Sequence, residues 1–209
     1  MKLYSFFRST ASYRVRIALA LKGLSYETAA VRLPRGEHRG DQYRAVNPQR
    51  RVPSLMLDDG TVLIQSLAII EYLNEIYPDP PLLPEDSLAR AQVRAVAQIV
   101  SCDIHPLGNS GARNYLIGKL GIDEAAAQAW GAHWITEGFA AIERLIEPGP
   151  YAFGETLTLA DLCIVPQVYN ARRFRVPLDQ YPRIVAVDAT ARQHPAFAAA
   201  APERQPDKE

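Results

Sequence analysis

The stretch KLYSFFRSTASYRVRIALALKGLSYETAAVRL, residues 2–33, decides the fold of this chain. Residues 2–7 are apolar and aromatic-rich, which predicts a strand, and apolar residues at helical spacing predict a helix over 13–22. Gly23 is suited to end that helix, and residues 24–33 predict a second strand. Because a strand–helix–strand crossover places its strands in parallel, we expect the chain to open with a βαβ unit.

A hairpin and another helix are predicted after an irregular, charged stretch over 34–44. The segment NPQRRVPSLMLDDGTVLIQS, residues 47–66, has two apolar runs around Asp58-Asp59-Gly60, which is typical of a hairpin turn. Ser66 is the predicted N-cap of a helix over 67–77, which stops at Pro78. The first part of the chain therefore predicts βαβ followed by ββα.

The segment PDPPLLP, residues 78–84, marks a domain boundary, because so many prolines exclude both a helix and a central strand. We expect a first domain over 1–79, a linker over 80–85 and an all-helical domain over 86–209. The tail APERQPDKE, residues 201–209, is polar and expected to fray.

Apolar periodicity predicts the helices of the second domain over 87–102, 124–145, 158–174 and 184–193. Thr158 and Asp161 fit a capping box at the start of one of them, since an acidic side chain three residues after a Thr reaches back to the cap amide. This pattern favours a structural role for Asp161 over a catalytic one.

Composition describes a globular protein with a small-molecule partner. Of 209 residues, Lys and Arg contribute 23 and Asp and Glu 23, so no positive field favours nucleic acid or a membrane surface. No apolar run approaches the ~20 residues of a membrane span, and the N-terminus lacks a signal-peptide layout, so the cytoplasm is expected. Cys102 and Cys163 are predicted to be buried, reduced thiols, and no residue spacing supports a metal site.

Hydroxyl side chains mark the predicted start of the first helix. The first turn of a helix has unsatisfied N–H donors and a partial positive charge, which stabilise an anion. Ser9, Thr10 and Ser12 could add donors to the same anion, but Ser and Thr are also preferred as simple caps. Both interpretations stay open at this point. Arg8 is likewise either a solvated loop charge or a ligand contact.

Two further motifs are suited to the rest of a ligand. Val52-Pro53 stands at a strand entrance, where a proline often follows a cis bond that presents backbone groups to a ligand. Gln65-Ser66 again places a polar residue and a hydroxyl at a helix start. A ligand with a thiol at one end and an amino acid at the other would use all three places.

Together these features resemble the glutathione transferase superfamily. FRSTASYRVRIALALKG, at 7–23, is similar to the zeta-class motif Ser-Ser-Cys-Ser-Trp-Arg-Val-Arg. The other matching segments are NPQRRVPSL, IQSLAIIEYL, TLADLCIVPQVYNARRF and the terminal RQPD. The resemblance implies an α/β thioredoxin-like domain with a mixed four-stranded sheet, followed by an all-α domain.

Reduced glutathione is the cofactor that the resemblance implies. Ser9 and Thr10 would face its sulfur, with Ser9 the better donor, and Arg8 and Arg173 would bind the carboxylates of an anionic diacid substrate. The other residues implied in glutathione binding are Ala11, Ser12, Tyr13, Arg14, His38, Val52, Pro53, Gln65, Ser66, His105, Asn109, Ser110 and Gly111. Arg14 and Arg16, inside the helix, are also interpreted as structural.

The resemblance implies a cytoplasmic homodimer that isomerises maleylacetoacetate. Alternatives are a maleylpyruvate isomerase, a general transferase acting on small electrophiles, and a non-catalytic module of the same fold. The class motif has Cys where this chain has Ala11, which argues against reductive dehalogenation, and Trp where it has Tyr13. The stretch HPLGNSGARNYL lacks an arginine pair found in maleylpyruvate isomerases, which lowers the expectation for that substrate.

Overall fold

The structure is a computed structural model that describes residues 1–208. It divides into two compact units, one formed by Met1–Pro81 with the chain from His194 onward, the other by Leu82–Gln193. The expected division, 1–79 and 86–209, differs in its last part, because the end of the chain packs with the first unit.

The first unit contains a four-stranded sheet in the order β2-β1-β3-β4. β1 is parallel to β2 and antiparallel to β3, and β3 is antiparallel to β4. The predicted βαβ-ββα order and mixed sheet are therefore confirmed. The strands are β1 (Lys2–Ser5), β2 (Glu27–Ala30), β3 (Ser54–Met56) and β4 (Val62–Ile64).

Within residues 1–208, the first unit has four α-helices, of which the sequence did not predict two. They are α1 (Thr10–Leu21), α2 (Asp41–Val46), α3 (Ser66–Ile76) and, near the end of the chain, α10 (Pro195–Ala200). α2 begins inside the stretch predicted to be irregular, and α10 packs against α1. Gly23 has φ 63 and follows the last turn of α1, as expected for a residue that ends a helix.

α1 is buried on more than one side, because both α3 and α10 pack against it. Its apolar residues Val15, Ile17 and Leu19 are fully buried. Arg14 and Arg16 are 2% and 1% exposed. Both arginines are therefore buried in the first unit, and their structural role stays a prediction.

The predicted fraying of the tail is wrong for residues 201–208, and Glu209 lies outside the described residues. Pro202 and Asp207 are buried, and the Phe7 amide donates to the Asp207 carboxylate across 2.9 Å. A polar sequence predicts fraying only when its side chains find no partners in the fold, and here a buried backbone amide provides one.

The second unit is helical, as predicted. Its helices are α4 (Ser87–Gln98), which continues as a π-helix over Ile99–Ile104, then α5 (His105–Gly108), α6 (Ser110–Leu120), α7 (Glu124–Leu145), α8 (Leu159–Arg173) and α9 (Pro182–Ala191). α8 is the most buried of them, with Leu159–Val168 buried throughout. The predicted capping box of Thr158 and Asp161 is present at its start.

The cysteine prediction is half right. Cys163 is buried on α8, but Cys102 is exposed in the π-helix, and neither forms a disulfide in the described chain. The buried residues Val100 and Ile104 are four apart and lie on one face of the helix, whereas Cys102, midway between them, lies on the opposite face. Among residues 1–208, no helix has the length and apolar character to cross a membrane.

Candidate functional site

The turn between β1 and α1 carries the hydroxyl groups. Ser9 is the N-cap of α1, and its Oγ accepts a hydrogen bond from the Ser12 amide at 3.2 Å. That bond uses a lone pair of the Ser9 hydroxyl and leaves its O–H proton for another acceptor. The first turn of α1, residues 10–13, contains no acidic residue. The half-buried helix start therefore offers its partial positive charge to an external anion.

The other hydroxyls of this turn are buried. Thr10 is 4% exposed and Ser12 fully buried, while Ala11 between them is half-buried. The Ser12 Oγ has no hydrogen-bond partner within residues 1–208. Because Ser12 is fully buried in this structure, its contact with a ligand stays a prediction.

Tyr13 is a core residue in this structure. It is 3% exposed, and its hydroxyl donates to the Phe197 carbonyl at 3.3 Å. The guanidinium of Arg16 lies 5.4 Å from its ring centroid. Tyr13 thus joins α1 to α10, and its contact with a ligand stays a prediction.

Arg8 lies on an aromatic platform beside the turn. Its guanidinium carbon is 5.9 Å from the Phe6 ring centroid and 5.5 Å from that of Phe7, and both rings are buried. Attraction to the aromatic faces holds the cation in position, and its full charge remains for a ligand. Because Arg8 itself is exposed, its guanidinium can pair with a carboxylate from solution.

The loop before β3 contains the predicted cis bond. The Val52-Pro53 peptide is cis, which confirms the expectation, and Val52 is 9% exposed. Its side chain joins a cluster with Phe6, Phe7 and Val31, so this loop shares a core with the residues that support Arg8.

Two residues that the sequence did not single out hold this loop. Tyr43 Oη and Asn47 Nδ2 both donate to the Arg51 carbonyl at 2.7 Å. Both also contact the Ser54 hydroxyl, at 2.9 and 3.2 Å. Burial raises the pKa of Tyr43, which keeps it a neutral donor. The asparagine of NPQ was the available signal, since Asn favours turns.

Gln65 and Ser66 differ from their predicted arrangement. Gln65, not Ser66, is the N-cap of α3, and it has φ 70, a left-handed conformation that side chains rarely adopt. Gln65 is exposed and donates to Gln49 Oε1 at 2.9 Å. Ser66 is 6% exposed, and its Oγ accepts from Arg14 at 3.3 Å. Arg14 thereby connects α1 to the start of α3.

His38 lies in a short 3₁₀ turn, Glu37–Arg39, and is half-buried. Burial lowers its pKa, and the positive charges of Arg39 and Arg50 lower it further. Its Nδ1 has no hydrogen-bond partner in the described part of the chain. An imidazole with a buried ring nitrogen is suited to a hydrogen bond, and the contact of His38 with a ligand stays a prediction.

The second unit contains the remaining predicted residues. Asn109 caps α6, with Oδ1 accepting from the Ala112 amide and Nδ2 donating to the Pro106 carbonyl, both at 2.9 Å. Both polar atoms of its side-chain amide therefore have partners within the fold. His105, half-buried, begins α5, while Ser110 and Gly111 are exposed in the first turn of α6. Contacts of these residues with a ligand stay predictions.

Arg173 is the exposed last residue of α8. Its guanidinium donates to Asn170 Oδ1 at 3.2 Å, and its carbonyl accepts from Gln128 on α7 at 3.4 Å. The next residue, Phe174, packs so closely on Gly131 that a Cβ there would lie 2.0 Å from its ring. The end of α8 is thus fixed on α7, and sequence reasoning missed the glycine that permits it.

No group of three or more His, Cys, Asp or Glu side chains is arranged to hold a metal ion within the described 208 residues. The donors that cluster in the first unit are hydroxyls, amides and a helix start. That set is suited to an organic anion with hydrogen-bonding groups.

Comparisons with known proteins agree with this donor set. The family model for the glutathione S-transferase N-terminal domain matches residues 3–81, and that for the C-terminal domain matches 123–198. A maleylacetoacetate isomerase of Pseudomonas aeruginosa is 54% identical, over 99% of this chain and 98% of its own.

Two solved structures cover 100% of this chain and are themselves covered in full. One is the holo form of a maleylpyruvate isomerase, a bacterial glutathione S-transferase of zeta class, with 53% identity and a TM-score of 0.97. The other is a maleylacetoacetate isomerase of Methylobacterium extorquens AM1 with bound malonate and GSH, with 35% identity and a TM-score of 0.96.

Proposed function

This chain belongs to the zeta class of the glutathione S-transferase family, and on that premise we propose that it is a glutathione-dependent cis–trans isomerase of maleylacetoacetate. The observation that carries the proposal is the start of α1. There the Ser9 hydroxyl keeps a free O–H beside a helix end without an acidic residue of its own. A maleylacetoacetate isomerase and a maleylpyruvate isomerase, both 54% identical, support a maleyl-type diacid as the substrate.

The donors of the first unit fit glutathione. Ser9 and Thr10 would receive its sulfur, the Val52-Pro53 loop its cysteinyl part, Gln65 and Ser66 its γ-glutamyl group, and His38 its glycine end. When bound, glutathione supplies a thiolate nucleophile, whose reversible addition to the substrate's double bond permits rotation about a single bond.

Ser9 and the start of α1 keep the sulfur ionised near neutral pH. An O–H donor and a partial positive charge both stabilise the charged form of a thiol, so they lower its pKa from the usual value of about 8.5. Any carboxylate in the first turn of α1 would oppose this effect, and residues 10–13 contain none.

Arg8 and Arg173 are proposed to bind the substrate's carboxylates. Arg8 is held over two aromatic rings and exposed, and Arg173 is exposed at a helix end that α7 fixes. A guanidinium pairs with a planar carboxylate through two parallel hydrogen bonds, which orients a diacid and selects against neutral electrophiles.

Maleylpyruvate is the second candidate substrate. The solved maleylpyruvate isomerase with a TM-score of 0.97 favours it, since its identity of 53% is nearly that of the maleylacetoacetate isomerase. Both substrates are maleyl-type diacids, so the same thiolate and arginines would serve either. We place maleylacetoacetate first.

The test compares three substrates with glutathione present: maleylacetoacetate, maleylpyruvate and a neutral chloro-aromatic electrophile. We expect isomerisation of a maleyl diacid to dominate. Arg8→Ala should lower kcat/KM for the diacids by about 10- to 100-fold, the range for a lost charge-assisted hydrogen bond, and leave the neutral substrate within about twofold. Arg44→Ala, an exposed arginine on α2, is the matched control.

Three results would contradict parts of the proposal. Equal losses on charged and neutral substrates would remove Arg8 from substrate binding. Glutathione binding without turnover of either diacid would refute the isomerase. Failure of millimolar glutathione to raise the melting temperature would favour a non-catalytic module, because a ligand of the native state stabilises it.

We also propose the homodimer and the cytoplasmic location that the class implies. Sedimentation equilibrium of the purified chain checks the first, and a twofold mass is expected. Fractionation of the source cell checks the second.

A further inference from the structure

The amide of Phe7 is held by a residue at the other end of the chain. β1 ends at Ser5, so Phe7 lies beyond the sheet, in the turn that carries Arg8 and Ser9. Its N–H donates to Asp207 Oδ2 at 2.9 Å, and Asp207 is only 8% exposed. A buried amide of this kind needs a partner, and the sheet does not supply one to Phe7.

The carbonyl of Phe7 is also held by a side chain. Arg16, 1% exposed, donates through one terminal nitrogen to this carbonyl at 3.0 Å and through Nε to the Ala200 carbonyl at 2.9 Å. Its other terminal nitrogen donates to Ser5 Oγ at 3.2 Å. Both polar backbone groups of Phe7 therefore depend on contacts that include the end of the chain.

The segment that carries Asp207 is itself fixed. Gln205 donates through Nε2 to the carbonyls of Ala199 and Ala201, at 3.0 and 2.9 Å, and Pro202 is buried. α10, just before it, packs on α1. Asp207 thus acts from a folded segment, which allows a single carboxylate to set the position of a turn.

We propose that Asp207 is a positioning residue for the isomerisation, which fixes the Phe6–Ser9 turn so that Arg8 meets the substrate and Ser9 meets the sulfur. This inference rests on the proposed function. Asp207 itself touches neither substrate nor sulfur. It acts through the Phe7 amide, which lies one residue from the guanidinium and two from the hydroxyl.

The test uses the full chain with Asp207→Ala and Asp207→Asn, and measures unfolding stability, kcat, KM and the thiol pKa of bound glutathione from its thiolate absorbance. Since small misplacements at a distance from the chemistry lower rates up to about 100-fold, Asp207→Ala should lower kcat by about 10-fold or more and raise the bound thiol's pKa. Asp207→Asn keeps an acceptor oxygen and should recover most of both.

The control is Val187→Ala, which removes buried apolar contact on α9 in the second unit. It should lower stability and leave kcat and the thiol pKa nearly unchanged. If Asp207→Ala changes stability alone and matches this control in kcat and thiol pKa, the inference is overturned.

A second variant covers the case in which Asp207→Ala does not fold. Asp207→Glu keeps the charge and lengthens the side chain by one methylene, so it should displace the turn and lower kcat severalfold, and unchanged kcat would again overturn the inference. The thiol pKa needs no substrate. It therefore tests the positioning of Ser9 even if the isomerase proposal fails.

Discussion

The helix starts of α1 and α8 look alike in sequence and differ in the anion that each one meets. Ser9 caps α1 and Thr158 caps α8. At α8, the fully buried Asp161 accepts from the amides of Ala152 and Thr158, both at 2.7 Å, and from the Thr158 hydroxyl at 3.0 Å. At α1, the first turn has no carboxylate, and the half-buried Ser9 has an O–H to give.

This difference explains why one helix start is structural and the other is a candidate site. The positive end of α8 is neutralised by a carboxylate of its own inside the core, so nothing is left for a ligand. The first turn of α1 contains no carboxylate of its own, and Ser9 at its start is half-buried. A helix start is therefore suited to bind an external anion when its first turn contains no acidic residue and its cap is half-exposed.

Removal of the internal anion should have the largest effect on stability. Asp161→Ala leaves two amides and a hydroxyl buried without their acceptor, which we expect to lower the free energy of unfolding by about 3–5 kcal/mol. Urea unfolding measures it. Asp123→Ala, which removes the exposed N-cap of α7, is the control and should cost much less. Equal losses would show that Asp161 is only an ordinary cap.

Removal of the Ser9 hydroxyl, the N-cap of α1, should instead affect activity. Ser9→Ala is expected to lower kcat by about 100-fold, as for other lost donors to a developing anion, and to lower stability by only about 1 kcal/mol. Ser9→Thr keeps the hydroxyl and should retain much of the turnover. If Ser9→Ala stays active while Thr10→Ala does not, the thiolate donor is Thr10.

An internal anion added to α1 should make it resemble α8. Ala11→Asp places a carboxylate in the first turn, where it would compete with the thiolate for the helix end and weaken glutathione binding about 10-fold, or ~1.4 kcal/mol. Titration calorimetry measures the affinity, and the neutral Ala11→Asn is the matched control. Equal affinities in the two variants would show that the charge of the helix end does not matter.

The pH dependence of stability should distinguish the buried carboxylate. Burial raises the pKa of Asp161 from 3.8 to about 6, against the effect of its hydrogen bonds. Between these values the folded state binds a proton that the unfolded state does not, so stability from this group rises as pH falls. From pH 7 to pH 5, the free energy of unfolding of the wild type should rise by about 1 kcal/mol relative to that of Asp161→Asn. A difference in unfolding free energy between the two proteins that stays constant with pH would place the pKa of Asp161 below 5.

Local signals in the sequence predicted the elements that depend on neighbours along the chain. Asp58-Asp59-Gly60 marked the β3–β4 hairpin, and Thr158 with Asp161 marked the start of α8. By contrast, α6 buries none of its residues, so it has no apolar stripe to reveal it. Cys102 has apolar neighbours in sequence but lies on the exposed face of its helix, which the composition of the segment did not reveal.

Local signals in the sequence also predicted part of the candidate site. Ser9, Gln65, Ser66 and the cis bond before Pro53 follow from short motifs, because caps and X-Pro bonds are local features. The contacts that hold these residues in place do not follow from short motifs. Tyr43 reaches the Arg51 carbonyl from α2, a helix that the sequence did not predict, and no pattern in the sequence pairs a tail aspartate with an amide 200 residues away.

The sequence by itself determined the order of the elements, the hairpin, both capped helix starts and the candidate groups for binding an anion. Those features are set by backbone geometry and hydrogen bonds within a few residues. Only the tertiary structure decided that Arg14 and Arg16 are buried, that Asp207 holds Phe7, and which helix start stays accessible. Burial and long-range contacts set those outcomes, and they exist only once distant segments have packed together.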